Sequence, residues 1–493
     1  MGKLNTFLNK KIVNEETAGK SYLTWKETLS YAIGRGAQGL STSMMSSDNI
    51  NFFASNVLKI KNLDIISQIR FWCGIWDAFN DPIMGVLVDK TRTKDGKTRP
   101  YIRYMPFICA FFTCLLFMGS GEFSNATKII FTIIAMVGWD MSYTAFDIPM
   151  GALAFSITPN AIERTKLYSV SSIVRAVVGA IPQVLILIAG WIPQLQQEPR
   201  PAYAIAAAMS AVGIIICTRP TYSCTRERAT YSQNEPTLKE CFSLLLKNKP
   251  LFMLFLSNMA FLLVTVQSSI NSYVAIDLMG SAKYKTALSI AVAPAPFIAG
   301  IVTPMIVEKL GKKADFKKIY QGCCLAAVVC YIVFYLSCKN KFMNRAYDEE
   351  LPIFFVIAVV VFIALSRIPL EIKNLLGKEM EAETVDYVEW KTGERAEGVM
   401  LSLMSFTGKL TNSASSSIAL FILARANYVT GDSAMPTPQT DTAKFALFAC
   451  ISLVPMIGYL LMLIPMSFYN INREQHDRML KEIAERRAVA QED

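Results

Sequence analysis

Long apolar runs, separated by short polar and basic connectors, make up most of the chain. The run at 251–266 reads LFMLFLSNMAFLLVTV, and comparable runs lie at 104–119, 129–138, 322–337 and 353–365. A helix needs about 20 mostly apolar residues to cross a bilayer, and a spanning segment must satisfy its own backbone hydrogen bonds. The pattern therefore predicts an all-α polytopic membrane protein.

Twelve transmembrane helices are predicted. Their approximate limits are 28–58, 63–89, 101–120, 127–156, 167–190, 201–217, 250–277, 286–307, 318–337, 352–375, 397–425 and 443–468. The first is the least apolar, because it is rich in Gly, Ser and Asn. The predicted organisation is a cytoplasmic segment 1–27, a six-helix bundle 28–217, a cytoplasmic linker 218–249, a second six-helix bundle 250–468 and a cytoplasmic tail 469–493.

Composition and charge agree with this class. The chain is 53% hydrophobic and 18% charged, whereas soluble domains are about 45–50% apolar and about 25% charged. Its net charge of +10 lies mainly in connectors after even-numbered spans, at 90–103, 219–249 and 309–318. Basic connectors stay in the cytoplasm, so both termini are expected there, in a multi-pass protein of the plasma membrane. Because the basic residues are scattered over these connectors, no nucleic-acid partner is expected.

Cysteine and histidine usage argues against an enzyme or a metalloprotein. Most of the eleven cysteines lie inside apolar runs, where Cys behaves as a small buried hydrophobe. The single histidine, His476, lies in the polar tail. A histidine-based catalyst or metal site is therefore not expected, and neither is a cofactor.

Two carboxylates interrupt the second span. Asp77 and Asp81 are four residues apart in WDAFNDPIMG and share a helix face, with Asn80 beside them. Each charge at a bilayer centre costs about 2.5–3.5 kcal/mol on insertion scales, and the two acids repel each other. A proton or small cation between them relieves both penalties, which favours a cation site. The alternative is an interhelical salt bridge that only holds helices together.

A third acid, Asp147, lies in span four, with Thr144 on the same face and Pro149 two residues later. It favours contact with substrate or cation, the alternative being a polar side chain that stabilises a Pro kink. In span eleven, Lys409 lies among small polar residues and favours a wet cavity or an acid. The alternative for Lys409 is snorkelling to the interface. Further candidate pocket groups, which could equally serve helix packing, are Arg175, Gln267 and Asn271.

Three motifs carry a resemblance to a known family. WDAFNDPIMG (76–85) followed by TRTKDGKTRP, ETVDYVEWKTGERAEG (383–398) and YTAFDIP (143–149) resemble signatures of the glycoside–pentoside–hexuronide:cation symporter family, to which the melibiose carrier belongs. The family has a major facilitator fold of two parallel six-helix halves. A loose echo between GVLVDKTRTKDGKTR (85–99) and GIVTPMIVEKLGKK (300–313) agrees with two such halves.

The resemblance implies roles for particular residues. The family's cation site, two acids and an Asn on helix two with a Thr on helix four, maps onto Asp77, Asn80, Asp81 and Thr144. Its sugar-site acid on helix four corresponds to Asp147, and its helix-eleven lysine to Lys409. The implied function is symport of a sugar or glycoside with Na⁺ or H⁺ by alternating access.

The chain departs from melibiose-type members at three positions. Gly39 stands where they carry an acid on helix one, Gly151 where they carry a Trp, and Gly74 where an Arg often precedes WDA. Glycine at 151 removes a stacking platform and opens volume in the substrate site. A larger glycoside, or one with a carboxylate recognised by Arg or Lys, therefore fits better than melibiose.

Charged residues of two predicted cytoplasmic connectors are candidates for ion pairs that lock the outward-facing state. They are Asp89, Arg92, Arg99, Asp386, Glu389, Arg395 and Glu397. The alternative is solvated loops that serve only topology. An exposed ion pair is worth about 0–1 kcal/mol, so a gate needs several acting together.

Two other classes of function compete with sugar symport. One is a cation-coupled carrier of a lysolipid or other amphipathic solute, which a wide hydrophobic slot would favour. The other is a membrane receptor or scaffold, for which the short charged tail 469–493, predicted to be helical, offers no evident output domain.

Overall fold

The computed structural model describes residues 8–12, 22–158, 161–228, 248–292, 294–310, 315–347, 349–392 and 397–492. Within these ranges the regular secondary structure is helical, apart from two isolated β-bridges. The chain forms two compact units. Unit 1 comprises Met1–Asn234 and Thr430–Ala434, and unit 2 comprises Glu235–Val429 and Met435–Asp493.

The described residues of unit 1 form eight α-helices. They are α1 Trp25–Met44, α2 Ser47–Phe52, α3 Leu63–Lys90, α4 Arg99–Phe117, α5 Asn125–Ile157, α6 Ala161–Ala189, α7 Pro193–Gln197 and α8 Arg200–Cys224. A π-helical turn, Phe53–Val57, follows α2. Local sequence explains where helices begin: Thr24 and Glu27 form a capping box before α1, and Ser124 caps α5 through the amide of Thr127.

Ten α-helices lie in the part of unit 2 that the structure describes. They are α9 Lys249–Thr265, α10 Asn271–Tyr273, α11 Tyr284–Val292, α12 Ala295–Leu310, α13 Phe316–Met343, α14 Ile353–Thr392, α15 Glu397–Arg425, α16 Asp441–Ile451, α17 Leu453–Phe468 and α18 Arg473–Glu492. A 3₁₀ turn, Val266–Ser269, precedes α10, and a π-helical turn, Val274–Leu278, follows it. The predicted helical tail is confirmed as α18.

Nine helical segments of the described chain are long and apolar enough to cross a membrane. The predicted spans 28–58, 63–89 and 397–425 are helical but are not among them, so the count of twelve is not confirmed. These three segments carry the Gly, Ser and Asn residues of α1, the paired acids of α3, and Lys409 with its polar neighbours on α15. Polar and charged candidate residues such as Asp77, Asp81 and Lys409 thus lie on helices that miss the apolar criterion, whereas Thr144 and Asp147 lie on a helix that meets it.

Several predicted helix limits were wrong. Spans one and twelve are each interrupted, after Met44 and at Ser452, and spans ten and seven differ as well. Span ten was expected to end at 375, but α14 continues to Thr392 because the apolar run is followed by good helix formers such as Glu, Lys and Met. Span seven was expected to be continuous over 250–277. Instead α9 ends at Thr265, and the backbone leaves helical geometry at Ile270, with φ −134° and ψ 17°.

A segment distant in sequence, Thr430–Ala434, belongs to unit 1. The Lys61 ammonium donates to the carbonyl of Thr430 at 3.0 Å and pairs with the Asp432 carboxylate. The Asn56 side chain donates to the carbonyl of Ser433 at 3.0 Å, which fixes the same segment from a second position. Unit 1 is therefore built from two separate stretches of chain.

The core of unit 1 lies where α1 packs against α5. Tyr31, Phe146 and Met150 are fully buried together. The Tyr31 hydroxyl donates to the Met150 carbonyl at 3.0 Å, which satisfies a buried polar group and fixes the two helices. This contact lies one or two helical turns from polar residues on both helices, Arg35 on α1 and Thr144 and Asp147 on α5.

Candidate functional site

The predicted cation-site residues lie on two adjacent helices of unit 1. Thr144 Oγ1 on α5 donates a 3.4 Å hydrogen bond to Asp77 Oδ1 on α3. Thr144 and Asn80 are buried, and Asp77 and Asp81 are half-buried. The apolar side chains of Met84 and other residues pack α3 against α5 next to this site. The structure therefore brings Asp77 and Thr144 into contact.

Asn80 contributes an amide that the described residues leave unsatisfied. Its side chain is 6% exposed, and its Nδ2 is buried without a hydrogen-bond partner in the described parts of the chain. The two ends of an amide are assigned from their surroundings, and a half-turn of the group presents its oxygen instead. A buried amide of this kind can supply an oxygen ligand to a small cation.

The nearest basic residue on α3 has other partners. Arg70 Nη2 donates to Ser47 Oγ at 2.7 Å. The buried carboxylate of Asp140, on α5, acts electrostatically on the Arg70 guanidinium. The Arg70 guanidinium, two helical turns before Asp77 on α3, thus interacts with Asp140.

Asp147 has two partners on α1 that the sequence did not predict. Arg35 Nη1 lies 3.3 Å from Asp147 Oδ1, and Gln38 Nε2 donates to the same oxygen at 2.9 Å. The Gln38 Oε1 atom is buried without a partner in the part of the chain that the structure describes. Asp147 keeps a half-exposed carboxylate, so it remains accessible to a ligand while it is held by α1.

The sequence analysis missed Arg35 and Gln38 because span one is the least apolar of the predicted spans. Arg35 and Gln38 lie in the Gly- and Ser-rich span one, SYAIGRGAQG, which gave the weakest apolar signal. A charged residue ten positions into a predicted transmembrane helix is nevertheless a sign of function. That sign was available from the sequence.

Two of the three glycines that depart from melibiose-type members, Gly39 and Gly151, differ in their surroundings. A Cβ atom at Gly39 would lie 2.5 Å from the carbonyl oxygen of Arg175, so α1 and α6 approach too closely for any side chain there. A Cβ atom at Gly151 would meet nothing within 4 Å. An acid at position 39 is therefore excluded by packing, whereas position 151 faces open space.

The candidate residues of unit 2 are dispersed over two helical regions. Lys409 is half-buried on α15. Gln267 is buried in the 3₁₀ turn, and Asn271 begins α10 directly after the break at Ile270. Non-helical backbone at membrane depth is tolerated where it lines a cavity or is buried in protein. The break at Ile270 therefore makes polar groups available that a regular helix would not offer.

The sequence also missed a buried lysine of unit 2. Lys373 on α14 is 4% exposed, and its ammonium lies 4.2 Å from the centre of the Phe261 ring, a cation–π distance. It also donates to the Asn374 side chain at 3.2 Å. Its burial on a membrane-spanning helix makes it a further candidate polar group.

Two of the gating candidates, Arg99 and Asp386, contact residues of their own units. Arg99 Nη2 donates to the Tyr222 carbonyl at 2.7 Å, Arg92 is exposed, and Glu389 is buried. Asp386 lies 3.0 Å from His476 Nε2, which places the lone histidine, 12% exposed, against α14 and not in solvent. Arg395 and the side chains of Asp89 and Glu397 lie outside the described residues. The gate therefore stays a prediction.

A carboxylate outside the apolar spans, that of Glu227, binds the loop before α4. The Glu227 carboxylate accepts hydrogen bonds from the amides of Lys97, Thr98 and Arg99 and from the Thr98 hydroxyl, at 2.6–3.3 Å. Burial pushes the pKa of Glu227 up, but these hydrogen bonds outweigh it and hold the pKa below its usual value. An acid thus caps the first turn of α4.

Two known proteins are similar in sequence to almost the whole chain. An uncharacterized symporter, YjmB, of Bacillus subtilis (strain 168) is 25% identical over 493 residues, which cover 97% of this chain and 99% of the relative. A glucuronide carrier protein homolog of Escherichia coli (strain K12) is 25% identical over 482 residues, 95% of this chain and 98% of the relative.

A solved structure and a family model complete the comparison. The crystal structure of a D-xylose-proton symporter superposes with a TM-score of 0.58 at 12% identity, and the match covers 89% of this chain and 97% of the other. The family model described as MFS/sugar transport protein matches residues 30–473. The chain therefore belongs to the MFS/sugar transport protein family, and it is a multi-pass membrane transporter with the major facilitator fold and not an enzyme.

Proposed function

We propose that this protein carries a sugar or glycoside across the plasma membrane together with Na⁺ or H⁺, by alternating access. Asp77, Asn80, Asp81 and Thr144 bind the cation, and Asp147 contributes to the substrate site. Lys409, Gln267 and Asn271 are the proposed substrate groups of unit 2. The distribution of basic connectors supports cytoplasmic termini.

The contact between Thr144 and Asp77 carries this proposal. It joins a hydroxyl and a carboxylate from different helices at 3.4 Å, next to the second carboxylate of Asp81 and the unsatisfied amide of Asn80. Carboxylate, hydroxyl and amide oxygens are the ligands of hard cations, and a carboxylate pair also binds a proton. A ligand set on two helices also couples ion binding to their relative position.

The energetic logic of coupling follows from charge. An unoccupied cation site leaves carboxylates whose desolvation is expensive, so a rearrangement that removes water from the site is unfavourable. Cation binding neutralises the site and completes its geometry. Sugar bound near Asp147, on the same helix as Thr144, then favours the loaded form, so that only the empty and the doubly loaded carriers change conformation readily.

The polar surroundings of Asp147 favour a sugar over a lysolipid. Arg35 and Gln38 offer donors at this position, and Tyr143 lies within the electrostatic reach of Asp147, Arg175 and Arg35. Hydroxyl-rich ligands satisfy such groups, whereas an acyl chain would leave them unpaired at a cost of about 1–3 kcal/mol each.

Uptake into membrane vesicles tests the cation site. Asp77→Asn removes one charge, and losing charge-assisted ligation of about 1.5–3 kcal/mol should weaken cation affinity about 10- to 100-fold. Accumulation driven by a Na⁺ or proton gradient should be lost, while sugar exchange without a gradient persists. Asp64→Asn, in the first turn of the same helix, is the matched control and should accumulate sugar like the wild type.

Normal gradient-driven accumulation by Asp77→Asn would refute the assignment of the cation site. Comparing Na⁺, Li⁺ and proton gradients on the wild type identifies the coupling ion in the same experiment.

A further inference from the structure

Helices α4 and α8 of unit 1 lie side by side and antiparallel. At one end of the pair, Arg200 Nη2 on α8 donates to the Met118 carbonyl, just after α4, at 3.2 Å. At the other end, Arg103 Nη1 donates to the Tyr222 hydroxyl at 3.1 Å. Both helices are among those long and apolar enough to cross a membrane. The start of α4 and the end of α8 therefore meet at the same membrane surface.

Each of these two helices exposes an apolar stripe. The exposed large side chains recur every three or four residues, at Tyr104, Phe107 and Phe111 on α4 and at Met209, Val212 and Ile216 on α8. Residues with this spacing share one face of a helix. Apolar side chains left uncovered on a helix that spans a bilayer match the acyl chains of the lipid.

Both stripes end in an arginine at the same end of the helix pair. On α8, Arg219 follows Ile216 by three residues, and on α4, Arg103 precedes Phe107 by four residues. The two arginines are exposed and line one cavity of about 620 Å³, which Tyr222 also lines. The cavity therefore joins two guanidinium groups to the ends of two apolar stripes.

The charge of this cavity is positive. The Arg103 guanidinium lies 5.2 Å from the centre of the Tyr104 ring and 5.3 Å from that of the Tyr222 ring, which are cation–π distances. Asp95 Oδ2 lies 3.9 Å from Arg103 Nη1 and accepts from the Tyr222 hydroxyl at 3.2 Å. The Arg219 side chain makes no hydrogen bond or ion pair with any residue that the structure describes. One carboxylate thus faces two guanidinium groups.

The location of the cavity favours an anionic lipid. Arg99 adds a third guanidinium, 4.8 Å from the centre of the Tyr222 ring. The basic connectors 90–103 and 219–249, which are expected in the cytoplasm, lie at this end of the helices. The cytoplasmic surface of a bilayer carries anionic lipids, and basic pockets between transmembrane helices on that side bind their head groups. Simple snorkelling of arginines to the interface would need neither a shared cavity nor rings that hold a guanidinium.

We propose that this cavity binds the headgroup phosphate of an anionic glycerophospholipid, whose acyl chains lie along the stripes of α4 and α8. Arg103 and Arg219 donate to the phosphate oxygens, since the planar guanidinium forms paired hydrogen bonds with phosphate. A zwitterionic lipid offers the same phosphate but adds a positive group, which the guanidinium groups repel. The lipid is a bound component of the membrane and not the transported solute, so the inference does not depend on the proposed sugar or cation.

Titration with two matched lipids tests the inference. The purified, delipidated full-length protein in a neutral detergent is titrated with dioleoyl phosphatidylglycerol or with dioleoyl phosphatidylcholine, which have the same acyl chains. Native mass spectrometry measures the dissociation constant of the first bound lipid. The wild type should bind phosphatidylglycerol about 10-fold or more tightly, because attraction of a net negative charge is worth about fivefold for each nearby arginine.

Variants locate the effect. Arg219→Gln and Arg103→Gln should each lower the ratio of the two affinities about fivefold, because each removes one positive charge from the cavity. Arg219→Lys retains the charge and should keep most of the selectivity. Arg200→Gln, at the exposed start of α8, is the matched control, since it removes an arginine from the opposite end of the same helix pair. It should match the wild type.

Equal binding of the two lipids by the wild type would overturn the inference. So would an equal loss of selectivity in Arg200→Gln and Arg219→Gln, which would indicate a general attraction of anionic lipid to a basic protein. Glycerol 3-phosphate that binds as tightly as phosphatidylglycerol would identify a free phosphate ester as the ligand and would also overturn it. The measurement uses neither a sugar nor an ion gradient, so its failure is distinguishable from failure of the proposed symport.

Discussion

Replacing Gly39 by alanine tests the close approach of α1 and α6. The added Cβ would lie 2.5 Å from the Arg175 carbonyl oxygen, a backbone atom that cannot move without its helix. Gly151→Ala is the matched control, because position 151 is also helical but its Cβ would meet nothing within 4 Å. Both substitutions remove a helical glycine and gain about 1 kcal/mol of helix propensity.

The difference between these two variants isolates the packing term. Overpacking of a tight contact costs about 1–3 kcal/mol, so Gly39→Ala should be less stable than Gly151→Ala by that amount. For a unit of this size, about 2–4 °C per kcal/mol, the gap in melting temperature should be about 2–12 °C. Tryptophan-fluorescence melting in one detergent measures both proteins under identical conditions.

The same clash has a consequence for the ligand. The obstructing atom belongs to Arg175, which is itself a candidate pocket residue. Relief of the contact would therefore shift α6 at Arg175. Gly39→Ala should therefore also weaken sugar binding. Equal melting temperatures for the two variants would refute the claim that α1 and α6 are in backbone contact at this point.

Two further predictions concern carboxylates outside the apolar spans. Burial raises the pKa of Asp277 to about 6 from 3.8, against hydrogen bonds from Tyr428 and Thr437. The folded protein therefore holds this proton to higher pH than the unfolded chain does, and its free energy of unfolding should fall by about 3 kcal/mol as pH rises from 3.8 to 6. Asp277→Asn should abolish this contribution in melting curves recorded across that pH range. An unchanged dependence of melting temperature on pH in the variant would contradict the prediction. Glu227→Ala leaves the donors of Thr98 and its neighbours unsatisfied and should cost about 1–3 kcal/mol above pH 4.5. Because the pKa of Glu227 is lowered, the wild-type advantage should shrink as pH falls below 4.5, and equal stability of the two proteins at pH 7 would argue against the cap.

The fold class was predictable, and the cation-site candidates could be proposed, because both depend on local anomalies. Long apolar runs need no tertiary context to be recognised as membrane helices. Two acids in such a run, Asp77 and Asp81, stand out against the cost of burying charge. The contact of Asp77 with Thr144 agrees with the expectation that the two would share a site.

Most of what the sequence analysis missed depends on how a second helix packs against the first. The sequence suggested that Gly39 lacks a family acid, but only the position of α6 shows that no side chain fits there. Arg35 lies on the least apolar span, where a charge attracts less notice. The break at Ile270 has no Pro or Gly to announce it. His476 looked solvated because its neighbours in the tail are polar, and only the packing of α18 on α14 brings it to Asp386.

The inclusion of Thr430–Ala434 in unit 1 bears on any attempt to divide the gene. A fragment that stops at Asn234 would carry Lys61 and Asn56 but would lack the carbonyl and carboxylate groups that they bind. Co-expressed halves would regain these bonds only by bimolecular association, whereas in the intact polypeptide they are closed within one chain. The two halves of this transporter are therefore not independent building blocks, and a chimera that exchanges one of them with a relative must exchange this short peptide as well.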